Sequence, residues 1–433
     1  MLLKSKSKRH GKSSESVSYK SLIAPQSYRL QKGDQDNILI GLRYLRLSFR
    51  LLFKVKPNQQ IEEANNVACF DGSIKQVESR KEYLSGLTNP NPGLWIGRDS
   101  LGHGRLSRFS IKTFFLTSLL FIIYLPHLFF GKNRASYALL ILEYCEWCVL
   151  LKSLKEHDIQ KVYFFCSFEL DGNFISLLLM EEGISFIRIP SSNPLSYFYE
   201  DVVTDKFALT APFHSEELKL LGNWKYNELV NLPCFNYKQL LKLREIEPNP
   251  ARSDRTRTLA VMTRGIWRRI ERGDSANDRG EYRSELELLD HLREYIQLNP
   301  EIEVTILMHP CEKVDDALFE RAKDYYRETL KKKDLIFPAR NKNSLECFYD
   351  SNVAISTNSS TNIERLFLGL KTLYFPAYLD FEIFTKTRLA NISCKTKEQL
   401  FSDLDWSFNS SNQEFFTKKE IEDYFEFGLA NDR

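Results

Sequence analysis

The sequence predicts an α/β chain of two doubly wound, parallel-sheet domains, preceded by a helical region that associates with a membrane. Three observations carry this. From about residue 135, strand-length apolar runs alternate with helix-length amphipathic segments, the spacing of strand–crossover–strand units. A polar stretch at 246–257, with Pro248 and Pro250 in it, divides that alternation into two halves. The 18 Gly and 15 Pro among 433 residues are too few for a turn-dense all-β architecture, and the length suits two domains or three. Composition narrows function as well. A charged fraction of 27%, with 31 Phe and 20 Tyr, excludes a disordered or collagen-like chain. A net charge of only +3 argues against nucleic acid as a partner held by bulk charge.

Taken in order, 1–37 reads as a flexible basic tail, with Lys4, Lys6, Lys8, Arg9 and Lys12 among serines and no apolar core of a secretory signal behind them. The domain expectation for 38–134 is a region of amphipathic and hydrophobic helices that lies partly in the first α/β domain. Within it, 38–56 places Leu42, Leu45, Phe49, Leu52 and Phe53 on one helical face and Arg43, Arg46, Arg50 and Lys54 on another. Such a helix suits an anionic membrane surface; a terminal helix packed on the protein with a solvated basic face is the plain alternative. Residues 57–110 are polar, with turn signals at 89–93 and 102–104. The run 114–130 holds no Asp, Glu, Lys or Arg, but Pro126 and His127 interrupt it. It is at the lower limit of bilayer-spanning length, so a re-entrant insertion or a helix packed between domains is expected ahead of a full span. The eight cysteines are scattered rather than framed as a disulfide scaffold, and Cys145 and Cys148 form a lone CxxC in an apolar helical run, read as core thiols. Both features fit the cytoplasmic face of a membrane.

The first α/β domain is expected over 135–245. A helix from Ala138 to Lys155 precedes strand 162–166, the loop 167–172 opens a second helix, and strands follow at 185–189 and 206–210, with a helix at 215–221. The linker 246–257 leads to the second domain, 258–400: strand 258–262, helix 285–298, strand 304–308, helix 315–332, strand 335–337, a helix at 344–349, strand 353–355, helix 361–368 and strand 372–375. A helical tail is expected over 401–433.

In open α/β sheets, ligands bind at the carboxyl ends of the strands, beside helix N-termini that favour phosphate. Three strand ends of the second domain carry suitable residues: Thr263-Arg264-Gly265, then His309-Pro310, then Ser356 to Thr361 ahead of a helix bearing Glu364. Ser359, Ser360 and Thr361 offer hydroxyls and backbone N–H groups to a phosphate, or simply cap the helix. His309 offers a donor to a phosphate oxygen or a leaving group, or is a satisfied strand-end histidine. Arg264 offers a charge for a second phosphate, or belongs to a solvated basic loop with Arg268, Arg269 and Arg272. Neither GxxxxGK[ST] nor GxGxxG occurs, so P-loop and dinucleotide readings lack their carriers. No Asp-x-Asp stands at a strand end, so no obligatory metal is expected.

His309-Pro310 with Ser359-Ser360-Thr361, Glu364 and Gly369 resembles the donor half of GT-B glycosyltransferases that carry an HP motif and a Ser-Ser motif. These are bacterial sialyltransferases and related capsule and lipooligosaccharide transferases that use CMP-activated sugars. The resemblance covers roughly 160–385. It implies two Rossmann-like domains facing a cleft, a nucleotide-sugar co-substrate without a further cofactor, and transfer to a glycan or lipid-linked glycan acceptor. By it, His309 contacts the donor phosphate, Ser359 and Ser360 bind it, and Glu364 reaches the ribose. CMP-sugars are favoured over UDP- or GDP-sugars, although a second phosphate on Arg264 points the other way. The resemblance also implies a general base before a glycine in the first domain; Asp171, then Glu169, of Phe168-Glu169-Leu170-Asp171-Gly172 are the candidates. Leu170 separates the two acids that stand adjacent in the family pattern, whereas Glu181-Glu182-Gly183 keeps them adjacent but reads as a helix end. The expected function is an inverting, metal-independent glycosyltransferase. The alternatives are a sugar-nucleotide epimerase, a polyol-phosphate transferase, or an inactive GT-B-like scaffold of a polysaccharide assembly complex.

Overall fold

The computed structural model describes residues 66–71, 83–84, 94–97, 122, 151, 154–166, 172–190, 203–209, 212–220, 225–232, 237–245, 257–271, 280–379 and 381–425. The tail 1–37, the basic helix 38–56, the apolar run 114–130 apart from Ile122, Cys145, Cys148, Glu169 and Asp171 lie outside them. Among the described residues, no helix is long and apolar enough to cross a membrane.

The chain divides into two compact units. The first draws on Met1–Ser192, Phe198–Leu209 and Leu221–Phe235. Its sheet has six parallel strands in the order β2-β1-β3-β4-β5-β6, formed by β1 (Val67–Asp71), β2 (Leu94–Gly97), β3 (Lys161–Cys166), β4 (Ser185–Pro190), β5 (Val203–Leu209) and β6 (Lys225–Asn231). Strands covered on both faces carry unbroken apolar runs, and Val162 to Phe165 of β3 are all buried. Tyr163 and Phe165 join Val67, Cys69, Ile187, Ile189 and Ala208 in one core cluster. Helix α1 (Gly172–Glu181) follows β3, burying Ile175 and Leu179. It ends at Gly183, whose φ of +74° and N–H bond to the Met180 carbonyl make Glu181-Glu182-Gly183 a helix terminus.

Strands β1 and β2 fall in the stretch expected only to be polar with turns. They are five and four residues long and separated by polar sequence, so no periodicity announces them. Strand β6 escaped the same reading because it is an edge: Tyr226 and Leu229 are each 38% exposed, and its apolar residues are diluted by Lys225, Asn227 and Glu228.

The second unit comprises Asn193–Tyr197, Thr210–Leu220 and Asn236–Arg433. It therefore takes helix α2 (Pro212–Leu220) out of the stretch assigned from sequence to the first domain. The cause is packing: the Phe213 ring meets those of Tyr424 and Phe425, and Glu216 accepts from Tyr424 and Arg388. Helix α3 (Tyr237–Arg244) precedes a four-stranded parallel sheet ordered β10-β9-β7-β8. Its strands are β7 (Thr258–Met262), β8 (Glu303–Leu307), β9 (Val353–Ser356) and β10 (Thr372–Tyr374). Between them run α4 (Ile266–Glu271), α5 (Glu281–Leu298), α6 (Asp316–Leu330) and α7 (Ser360–Phe367).

The strand expected at 335–337 is reduced to one bridge, Ile336 to Thr305, where the chain passes the sheet edge with Ile336 45% exposed. The helix expected at 344–349 is a 3-10 helix, Ser344–Asp350, and α5 begins four residues earlier than predicted, at Glu281. After β10, α8 (Ile383–Lys386) is followed by α9 (Lys397–Asn409) and α10 (Asn412–Lys418). Helix α9 runs through the boundary expected at 400, and Leu400, Leu404, Phe415 and Tyr424 are buried in the unit rather than trailing from it. Behind α7, fully buried Arg365 donates to the carbonyls of Phe348 and Ser351 and so ties α7 to the approach to β9.

Candidate functional site

The strand order of the second unit fixes where a ligand fits. From β7 the chain passes to β8 on one side and later to β9 on the other, so the direction of winding reverses between β7 and β9. At such a switch point, adjacent crossovers leave the sheet on opposite faces, and a crevice opens outside the carboxyl ends of the strands. The three segments singled out by sequence stand there together: Thr263-Arg264-Gly265 after β7, His309-Pro310 after β8, and Ser356 to Thr361 after β9.

His309 caps the 3-10 helix Pro310–Glu312. Its Nδ1 accepts the Cys311 backbone N–H at 3.2 Å and lies 3.0 Å from the Cys311 Sγ. An accepting Nδ1 places the ring proton on Nε2, making the imidazole a neutral donor. Burial, with the positive charges of Arg264, Arg269 and Lys313 nearby, pushes its pKa down to about 3 and keeps it neutral at physiological pH. Its backbone N–H donates to Glu312 Oε2 at 2.9 Å and to Thr263 Oγ1 at 3.0 Å.

Three carboxylates that sequence reading passed over lie beneath these loops: Glu281, Glu285 and Glu312, each buried. Glu312 accepts from Thr263 Oγ1 at 2.6 Å, Trp267 Nε1 at 2.5 Å and Tyr326 Oη at 2.7 Å, besides His309 N. Burial pushes its carboxyl up while those donors pull it down. Glu285 accepts the backbone N–H groups of Arg264 at 2.7 Å and Ile266 at 3.3 Å; burial, with Glu312 close by, pushes it up to about 8. Glu281 is bonded to Arg264 at 2.7 Å, and burial nonetheless pushes it up to about 7. Charged residues within helix α5 look solvent-facing in sequence, so Glu281 and Glu285 carried no signal. Glu312 carried one: it stands three residues after His309, the spacing of a capping box, and both bonds of that box are made.

Arg264 is neither a solvated loop residue nor an open anion contact. Its guanidinium bonds Glu281 and donates to the Asn358 carbonyl at 2.9 Å, tying the β7 end to the β9–α7 loop. Burial lowers its pKa to about 10, which leaves it charged. Gly265 is required by geometry: its φ is +66°, and an added Cβ would stand 2.6 Å from Cys311 Sγ and 3.1 Å from Glu312 Cγ.

Ser359 is the N-cap of α7; its Oγ accepts from Thr361 N and donates to Thr361 Oγ1 at 2.9 Å. Its own N–H donates to Ser356 Oγ at 3.1 Å. Ser360, Thr361 and Glu364 are half-buried, and at spacings of three and four residues they share the open side of the first turn of α7. Gly369, with φ +73°, ends the helix in the left-handed conformation. The sites expected in the first domain, Asp171 and Glu169, fall in the loop between β3 and α1, outside the described residues. That loop leaves the carboxyl end of β3, and the order β2-β1-β3 places a winding reversal between β1 and β3.

No protein-family model matches the chain, and no curated protein matches it. Among solved structures, it is similar to the UDP-GlcNAc 2-epimerase of Methanocaldococcus jannaschii, at 12% identity over 80% of this chain and 93% of that one, with a TM-score of 0.44. It is also similar to an O-GlcNAc transferase of Thermobaculum terrenum, at 10% identity over 92% and 72% of the two chains and a TM-score of 0.38. The wall teichoic acid polymerase TagF gives 14% identity over 94% of each chain and a TM-score of 0.40. The narrower likeness to sialyltransferases and capsule transferases rests on the His-Pro and Ser-Ser motifs alone.

Proposed function

We propose that this protein is a glycosyltransferase that takes its sugar from a nucleotide-sugar donor bound at the β7/β9 switch point. The observation that carries this reading is the neutral His309, its Nδ1 occupied by the Cys311 N–H and its Nε2–H left to donate, held at the same strand-end crevice as the N-terminus of α7. The two supply complementary parts of one anion site. The α7 end offers a positive dipole end, with the Ser360 and Thr361 hydroxyls beside it. The imidazole adds a directed hydrogen bond where charge develops as the sugar–phosphate bond breaks. In the same loop, buried Thr357 Oγ1 and Asn358 Oδ1 have no hydrogen-bond partner among the described residues, as expected of groups that a polar ligand or its waters complete.

In this reading, Glu364 reaches the ribose, and Asp171, backed by Glu169, removes the proton of the acceptor hydroxyl as it attacks. Direct displacement by that hydroxyl inverts the sugar's configuration. Charge on the departing phosphate is met by hydrogen bonds and the helix end, without a resident metal. CMP-sugars are the favoured donors, because the Arg264 charge is already paired with Glu281 and offers less to a second phosphate. The acceptor is a lipid-linked or surface glycan met at the cytoplasmic face of a membrane, through 38–56, 114–130 or both.

A thermal-shift panel of CMP, UMP, CDP, UDP and GDP tests the donor site, since a ligand at one hundred times its Kd stabilises the folded state by about 2.7 kcal/mol. Turnover of CMP-, UDP- and GDP-sugars by the wild type, His309→Ala and Asp171→Ala tests the chemistry. Stabilisation by one nucleotide class, with transfer lost in both variants, is the expected result. Stabilisation by none, or full transfer by His309→Ala, overturns the reading. Full transfer by Asp171→Ala removes the base assignment, and binding without turnover marks the inactive scaffold.

A further inference from the structure

We infer that Glu312 is a positioning residue for the donor phosphate: it sets the place and orientation of His309 without touching the ligand. The inference rests on the reading of His309 given above and adds a residue that the motif comparison does not contain. Glu312 is fully buried, and its two oxygens take four donors from four different elements. Oε2 receives the Thr263 hydroxyl from the end of β7 and the His309 N–H from the end of β8. Oε1 receives the Trp267 indole N–H from α4 and the Tyr326 hydroxyl from α6.

The His309 backbone N–H is therefore shared between two acceptors, Glu312 Oε2 and the Thr263 hydroxyl, which itself donates to Glu312. The Cys311 N–H then fixes the ring from the next residue but one. Backbone and ring are thereby locked together, so the direction of Nε2–H follows from where the carboxylate stands. A carboxylate suits this position and an amide does not. All four partners are donors, and Gln in place of Glu312 turns one acceptor into a donor facing other donors. A buried carboxylate without such a task is costly, which makes a packing role alone a poor account of this residue.

The test is a double-mutant cycle on the full chain. CMP, UMP and UDP binding is measured by calorimetry for the wild type, Glu312→Gln, His309→Ala and the double variant, with unfolding temperature and far-ultraviolet circular dichroism followed in parallel. Glu312→Gln is expected to weaken nucleotide binding roughly tenfold through loss of one aligned, charge-assisted hydrogen bond, and to add nothing once His309 is Ala. Equal losses in both backgrounds assign Glu312 a general structural role and overturn the inference, as does unchanged affinity. If Glu312→Gln fails to fold, Thr263→Val replaces it in the cycle. It removes only the hydroxyl between Glu312 and the His309 N–H, and the same non-additivity is expected. Failure of the underlying reading has a different signature: His309→Ala then binds all three nucleotides as the wild type does.

Discussion

Substituting Gly265 by Ala separates two costs that the structure places on one residue. The first is conformational: at φ +66°, an L-residue is held in the left-handed region at about 1–2 kcal/mol. The second is steric: the new Cβ would stand 2.6 Å from Cys311 Sγ and 3.1 Å from Glu312 Cγ, and inserting a methyl against packed neighbours costs about 1–3 kcal/mol. Gly265→Ala should therefore destabilise the second unit by about 2–5 kcal/mol. Gly369→Ala supplies the control. Its φ is +73° with nothing within 4 Å of the added methyl, so only the conformational cost of about 1–2 kcal/mol applies.

Removing the sulfur in Gly265→Ala/Cys311→Ala should recover part of the steric cost, with a coupling of about 1 kcal/mol or more. Urea unfolding at constant temperature reads the wild type, Gly265→Ala, Gly369→Ala, Cys311→Ala and the double variant. Because Cys311 Sγ is also 3.0 Å from His309 Nδ1, the single variant should lose nucleotide affinity, and Gly369→Ala should not. Gly265→Ala no less stable than Gly369→Ala, or unaffected by loss of the Cys311 sulfur, would refute the assigned loop geometry.

Four further outcomes are expected. Glu285 is pushed from 4.5 up to about 8, so the fold favours its protonated form, and its contribution is present at low pH and lost as pH rises through about 8. Glu285→Gln, which imitates the neutral acid, should flatten the fall in unfolding temperature between about pH 4.5 and 8, and an unchanged slope rejects that assignment. His309 titrates the other way: its pKa is depressed to about 3, so its contribution is intact above the ordinary value of 6.5 and lost as pH falls toward 3. Nitrogen-15 chemical shifts should show a neutral ring protonated at Nε2 at pH 6, and an imidazolium at that pH contradicts it. Ser359→Ala removes the cap of α7 at a cost of about 0.5–2 kcal/mol in denaturant unfolding, with nucleotide affinity falling alongside; no change in either excludes a capping role. Deletion of 1–56 should release the protein from anionic vesicles in a flotation assay, whereas retained binding moves the anchor to 114–130.

How much of the site was legible depended on whether a residue acts through local pattern or through distant partners. His309-Pro310 and Ser359-Ser360-Thr361 announced themselves because strand ends and helix caps use few residue types, and the chain order of strand, loop and helix is local. Arg264 was legible as a site residue but not in its role, since the Asn358 carbonyl that it bonds lies 94 residues away. Glu281 and Glu285 were invisible for a related reason: an acidic residue in an amphipathic helix looks solvated until the loop that it supports is in place. Strand β6 was missed because an edge strand is not covered on both faces and needs no apolar run, whereas β1, buried at Val67, Ala68 and Cys69, and β2 are too short, and too widely separated by polar sequence, to set a period.

By itself, the sequence determined the α/β alternation and the site-bearing strand ends of the second unit, because buried parallel strands demand continuous apolar runs and helix starts demand caps. The order β10-β9-β7-β8 was decided only by the tertiary structure, and with it the convergence of three loops separated by up to about one hundred residues on one crevice. The structure also decided that α2 belongs with the second unit, through the aromatic contacts of Phe213 with Tyr424 and Phe425. Strand order and burial are set by contacts between residues far apart in the chain. A buried carboxylate is stable only when all of its donors are in place, so Glu312 acquires its meaning from Thr263, Trp267, His309 and Tyr326 together.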